Sequence, residues 1–287
     1  MLPADSPATR WILSVAFVAL MVTLIIRAVR KDRREYRRFK RYRTTKRRQG
    51  MLRRWLLESL LVFGGASVAL LLLAGNQVQP LLDAIEEWPF IATARAWLDG
   101  NAELAWGLLA GALAAFALLT WLAVREIRRE AASSEDGKST VPTVGDIHAL
   151  LPRNRAELKL GAAMSINAGI VEELLFRLAL PAVLFGATGN AVVAVVGSIL
   201  LFGALHAYQG IAGVIGTSLV GALLMLLFIG TGSIAAPIIA HALFDLRSLV
   251  LIPMLVSRVH RMPDKSPIHP RPARTSSARA VEHPPRS

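Results

Sequence analysis

The sequence predicts an all-α polytopic transmembrane helix bundle of about seven spans, with the N-terminus outside and the C-terminus cytoplasmic. Three observations predict it. Of 287 residues, 54% are hydrophobic and 18% charged, whereas a soluble domain carries about a quarter charged residues. The apolar residues gather into runs of about 17 to 25, the length of helix that crosses a ~30 Å hydrocarbon core at about 1.5 Å per residue. The net charge of +13 is concentrated between and after these runs. A soluble monomer is excluded. The absence of cysteine also excludes disulfide scaffolds, thiolate zinc sites and cysteine nucleophiles.

The first span, residues 11–29, reads as an uncleaved anchor, because its charges mostly follow it and no clear small-residue cleavage site appears. Residues 30–54 then hold fourteen Lys/Arg against Asp32 and Glu35, a local balance of +12. Such a run can mean nucleic acid. Here it sits between two apolar spans, so the simpler reading is topogenic and lipid-contacting, with membrane lipid as partner and nucleic acid not expected. Tyr36, Phe39 and Tyr42 recur every three residues, which places them along one side of a helix at the headgroup level. Lys/Arg-rich loops stay cytoplasmic, which sets this segment inside and the N-terminus outside.

The second span, 55–74, leads to an acidic outer loop at 77–101, and the third, 104–124, returns inside. Residues 1–124 thus form a three-span N-terminal region. Residues 125–157, with six basic and six acidic residues and a polar stretch at 133–140, read as a cytoplasmic linker. Spans at 160–184, 191–207, 211–229 and 234–255 build a four-span bundle over residues 158–256. Seven crossings bring the basic tail, 257–287, back inside. That tail is rich in Pro, Arg and Ser and is expected to be disordered.

Polar groups inside a bilayer mark where chemistry resides. From Leu160 to Phe244 the only Asp, Glu, Lys or Arg residues are Glu172, Glu173 and Arg177. Each charge at mid-helix depth costs about 2.5–3.5 kcal/mol on insertion scales, so the three must face a protein interior or a hydrated cavity. Glu173 and Arg177 have the favoured spacing and order for an intrahelical pair. Glu172 lies about 100° around the helix from Glu173 and is left without a local partner, suited to taking a proton. Only His206 and His241 among the six histidines fall within apolar spans. Phe202 precedes His206 by four residues and places a ring beside it. Asp245 follows His241 by four, on the same helix face. Two carboxylates, two imidazoles and a further carboxylate from three helices can activate a water or hold a metal.

Each piece also has a structural reading. Glu173–Arg177 can be an ion pair alone, His206 a hydrogen-bonding strut, and His241–Asp245 a pair near a helix end, with Arg247 neutralising Asp245. Glycines at 213, 216, 230 and 232 read as close helix contacts and tight turns. Nucleotide-binding and zincin motifs are absent.

The ordered set Glu172-Glu173-x-x-x-Arg177, Phe202-x-x-x-His206 and His241-x-x-x-Asp245 resembles the CAAX-protease and bacteriocin-processing family of intramembrane proteases, which includes the type II CAAX prenyl endopeptidases. The resemblance covers roughly residues 168–249. It implies that Glu172 is the general base for an attacking water, supported by Glu173 and Arg177, and that His206, His241 and Asp245 position water or stabilise the oxyanion. The last position is often Asn in prenyl endopeptidases, and an ionised Asp cannot donate a hydrogen bond. A carboxylate there favours orienting His241 or binding a metal. His206, His241 and Asp245 with Glu172 would suit Zn²⁺, with water in the fourth position. A metal-free mechanism uses the same residues, and the sequence leaves both open.

The expectation is therefore an intramembrane endopeptidase that hydrolyses a peptide bond of a membrane-associated protein or peptide, in a multi-pass setting. The Arg- and Ala-rich composition and the lack of organelle signals point to a bacterial plasma membrane. Two rivals stand beside it: an inactive membrane scaffold, and a proton or ion carrier. No pair of Gly/Pro-broken half-spans in corresponding positions is clear, which weighs against the carrier.

Overall fold

A computed structural model describes residues 6–133 and 148–263; most of the polar stretch of the linker and nearly all of the tail lie outside them. The described residues are helical, with no strand among them. We number eight helices. α1 is Pro7–Lys40 and α2 is Thr45–Glu86. Then follow α3 (Pro89–Asp99), α4 (Ala102–Ser133), α5 (residues 155–188), α6 (Ala191–Leu205) and α7 (Ile211–Thr231), and α8 is Ala235–Ser257. Helices thus occupy all seven predicted spans.

Local sequence sets the helix ends. The side chains of Ser6, Asn154 and Asn190 accept from backbone N–H groups three residues on, at 3.1, 2.9 and 3.0 Å, each satisfying a donor that the first turn leaves open. Gly189 and Gly232 end α5 and α7 in the left-handed conformation, with φ of 67° and 65°.

Among the described residues, five helices are long and apolar enough to cross a membrane by length and composition: Pro7–Lys40, Thr45–Glu86, Ala110–Arg129 within α4, Ile211–Thr231 and Ala235–Ser257. The two other expected spans differ for physical reasons. α5 carries Arg155, Glu157, Lys159, Glu172, Glu173 and Arg177 along its length, and α6 is apolar but only 15 residues long. α5 buries Glu157, Glu173 and Arg177 against its neighbours, whereas α6 keeps an exposed apolar face at Val192, Val193, Val196 and Leu200. Large apolar side chains cover the outer surface, among them Trp11, Leu61, Leu72, Ile211 and Leu223, as expected where the solvent is hydrocarbon.

α5 is the axis of the fold. Its first half packs against α8 and the start of α2, and its second half against α1 and α6. Gly169 makes the α5–α8 contact possible. A Cβ there would lie 2.9 Å from the Ala242 Cβ and 3.0 Å from both the Ala242 amide nitrogen and the Ile238 carbonyl oxygen. Small residues at such crossings let backbones approach closely. Arg247, weighed from the sequence as a neutraliser of Asp245, instead donates from Nε to Thr120 Oγ1 at 2.7 Å and ties α8 to α4.

The basic run is helical apart from a short turn at 41–44, and its aromatic face points inward. Phe39 is fully buried and Tyr36 nearly so, in a cluster with Met51, Leu52 and Ala149. Arg48 is also fully buried. Its Nε lies 3.1 Å from Glu157 Oε1, its guanidinium stacks 4.3 Å from the Phe39 ring centroid, and Nη2 donates to the Leu151 carbonyl at 3.2 Å. One member of a run read as lipid-contacting is thus an internal clamp between α2 and the start of α5.

Candidate active site

The site begins with a change in helix winding. Immediately after Glu173, residues Leu174–Ala179 form a π-helical turn, in which the Leu180 N–H reaches back to the Leu175 carbonyl. The looser winding changes which side chains and carbonyls face inward, and such turns recur at functional sites. Ser198 of α6 donates to the Phe176 carbonyl within it at 2.5 Å, locking the turn against its neighbour.

Glu173 and Arg177 sit on either side of this transition and are almost completely buried. Arg177 Nε lies 2.9 Å from Glu173 Oε2. The same guanidinium donates from Nη2 to the Gly221 carbonyl on α7 at 3.2 Å and lies 4.9 Å from the Phe202 ring centroid. The other Glu173 oxygen, Oε1, is 2.6 Å from His241 Nδ1. A single carboxylate therefore joins α5 to α8 and orders the guanidinium that reaches α7.

His241 turns its second nitrogen towards Asp245, with Nε2 to Oδ2 at 3.8 Å, longer than a hydrogen bond. His206, the last residue before the turn that ends α6, places Nδ1 2.8 Å from the Phe202 carbonyl. A carbonyl only accepts, so Nδ1 carries the proton and the neutral ring keeps its Nε2 lone pair free. Phe202 stands between the two imidazoles, with ring centroids 4.9 Å from His206 and 6.1 Å from His241.

Glu172 has no hydrogen bond or ion pair among the described residues. It lines a cavity of about 190 Å³ shared with His206. The cavity wall is mainly apolar and comes from two parts of the chain: Phe176 and Leu205 lie beside the catalytic candidates, and Trp55 and Phe63 come from α2. Asn167, Tyr208, Tyr36 and Trp55 were not singled out in the sequence as site residues. Tyr36 and Trp55 lie more than a hundred positions before Glu172, and no local spacing connects them to it. Tyr208 carried one available signal, its place two residues after His206.

All six sequence-predicted residues thus lie around one region, divided by position. Glu172 and His206 face the cavity; Glu173, Arg177 and His241 form a buried polar network; Asp245 sits beyond His241. His206 and His241 each keep one ring nitrogen beyond the contact to Phe202 or Glu173, and no group of three or more His, Asp and Glu side chains among the described residues is arranged to hold a metal ion.

Residues 154–247 match the family described as type II CAAX prenyl endopeptidase Rce1-like. That segment contains all six residues and is similar to CAAX-type intramembrane proteases, as the motif order indicates. The match excludes α1 to α4, although α1 and α2 contribute cavity wall. Comparison with curated proteins and with solved structures gives no match.

Proposed function

We propose that this chain is an intramembrane endopeptidase in which Glu172 activates water against a peptide bond held in the cavity. The observation that carries the reading is the contrast between neighbouring carboxylates. Glu173 is ion-paired with Arg177 and bonded to His241, whereas Glu172 has no direct partner among the described residues and faces a cavity shared with His206. Two carboxylates in different environments can take different roles, one structural and one acid–base.

Water bound between Glu172 and His206 attacks the scissile carbonyl carbon. Glu172 takes the water's proton, the carbonyl oxygen gains the negative charge, and collapse breaks the C–N bond as the proton passes to the leaving amine. Glu173 acts as a positioning residue: it fixes His241 and Arg177 and so the crossing of α5, α7 and α8. The apolar wall suits a membrane-associated peptide. With the basic segment 30–54 inside, the cavity end lined by Arg27, Asp32 and Tyr36 opens towards the cytoplasmic face of a bacterial plasma membrane.

The test compares membrane-peptide N-termini from cells carrying the parent and the Glu172→Gln variant. New N-termini found only with the parent identify activity and substrate together. Identical profiles, with the same partners recovered, would instead favour a scaffold.

A further inference from the structure

Ester and amide hydrolysis requires a hydrogen-bond donor aimed at the oxygen that becomes negative. Of the residues already assigned, Arg177 and His241 carry N–H groups but do not line the cavity, and His206 and Asp245 do not supply a donor in their ordinary states. His206 uses its N–H on the Phe202 carbonyl and presents a lone pair to the cavity, while Asp245 is a carboxylate and an acceptor. The side-chain donors that line the cavity are few. Trp55 Nε1 is committed to Glu35 at 2.8 Å. Asn167 Nδ2 donates to Ser59 Oγ at 3.0 Å. Arg27 is engaged near Asp32 and Glu58, at 3.7 and 3.5 Å. Tyr208 remains.

Resting on the hydrolytic reading above, we infer that the Tyr208 hydroxyl is the oxyanion donor of this site. Tyr208 lies in the 3₁₀ turn Ala207–Gln209 between α6 and α7 and lines the same cavity as Glu172 and His206. Its ring stands 6.0 Å from the His206 ring and 5.5 Å, edge-on, from Tyr36 of α1, so two helices and the turn fix its direction. Gln209 Nε2 donates to the phenol oxygen at 3.0 Å. That bond occupies a lone pair and leaves the O–H proton to be given elsewhere. Burial, reinforced by the Glu172 and Asp245 carboxylates, holds the phenol above its usual range, so it remains a donor at neutral pH. During attack the phenol keeps its proton and donates a hydrogen bond to the carbonyl oxygen as it becomes negative. The water proton resides on Glu172 and passes to the amine when the C–N bond breaks. The device also explains how a carboxylate is tolerated at position 245: the donor function sits on a different element.

The experiment uses the purified full chain in liposomes with a cleavable peptide. Tyr208→Phe keeps the ring and its contacts. It lowers kcat about a hundredfold, in the range seen for loss of one oxyanion donor, with KM within about twofold because the uncharged substrate gains little from that bond. It also weakens binding of a peptide phosphonate, which mimics the tetrahedral anion, by about the same factor, while binding of the uncleaved peptide holds. Gln209→Met, which releases the phenol but retains it, lowers kcat about three- to tenfold; should Tyr208→Phe not purify as a folded protein, a parental rate in Gln209→Met overturns the proposal. Cleavage that Glu172→Gln abolishes but Tyr208→Phe leaves at the parental kcat overturns the oxyanion assignment alone. Absence of any cleavage by the parent overturns the hydrolytic reading, and this assignment with it.

Discussion

Glu173 Oε1 lies 2.6 Å from His241 Nδ1, across 68 positions of sequence, and this contact holds α5 against α8 at the depth of the cavity. The same carboxylate reaches Arg177 at 2.9 Å. Both acid and base are almost wholly inside protein, so removing one member leaves the other buried without its ion-pair partner.

Glu173→Ala and Arg177→Met each destabilise the protein by about 3–5 kcal/mol, the usual result of breaking one side of a buried pair. The double variant Glu173→Leu/Arg177→Met is more stable than either single variant, because no lone charge remains, yet it is inactive because His241 loses its anchor. Thermal unfolding in detergent alongside cleavage rates checks both halves.

Gly169→Ala places a Cβ 2.9 Å from that of Ala242. Backbone lines both sides of the contact, so the helices must separate, at about 1–3 kcal/mol. Glu173 lies one turn further along α5, so the same shift loosens its bond to His241. The expected outcome is a lower unfolding temperature together with a fall in kcat, measured on one preparation.

Arg48→Met breaks the buried bond to Glu157 far from Glu172, and costs about 3–5 kcal/mol for the charge left on Glu157. Cleavage per folded molecule stays within about threefold of the parent, since additivity holds for distant, unshared sites. A loss of turnover that exceeds the loss of folded protein would show that the clamp shapes the cavity as well.

The cavity itself yields a further test. Ala168 lines it beside Glu172, and Ala168→Phe fills a large part of about 190 Å³. Cleavage is blocked through a raised KM, while the unfolding temperature holds near the parental value because the ring enters open space. A parental KM would mean that substrate binds elsewhere.

The sequence carried much of this arrangement wherever the determinants were local. The spacing of Glu173 and Arg177 shows their pair, and Phe202 falls beside His206 as the four-residue spacing requires. Apolar length located a helix at every expected span. Three features needed the third dimension. Local spacing suggests His241 with Asp245, but the shorter contact is to Glu173 on another helix. The π-helical turn at Leu174–Ala179 has no residue pattern that distinguishes it from ordinary helix. The inward burial of Arg48, Tyr36 and Phe39 depends on Glu157 and Tyr208, over a hundred positions away, so a run of arginines read by composition alone looks uniformly exposed.

The central claim is that the free carboxylate at 172 turns water into the nucleophile. Single-turnover cleavage of a membrane peptide in ¹⁸O-labelled water measures it directly. The account predicts one ¹⁸O in the new carboxylate of the N-terminal fragment, and a rate in Glu172→Gln at least about a hundredfold below the parent, the scale of general-base catalysis. Cleavage by Glu172→Gln at the parental rate would contradict it.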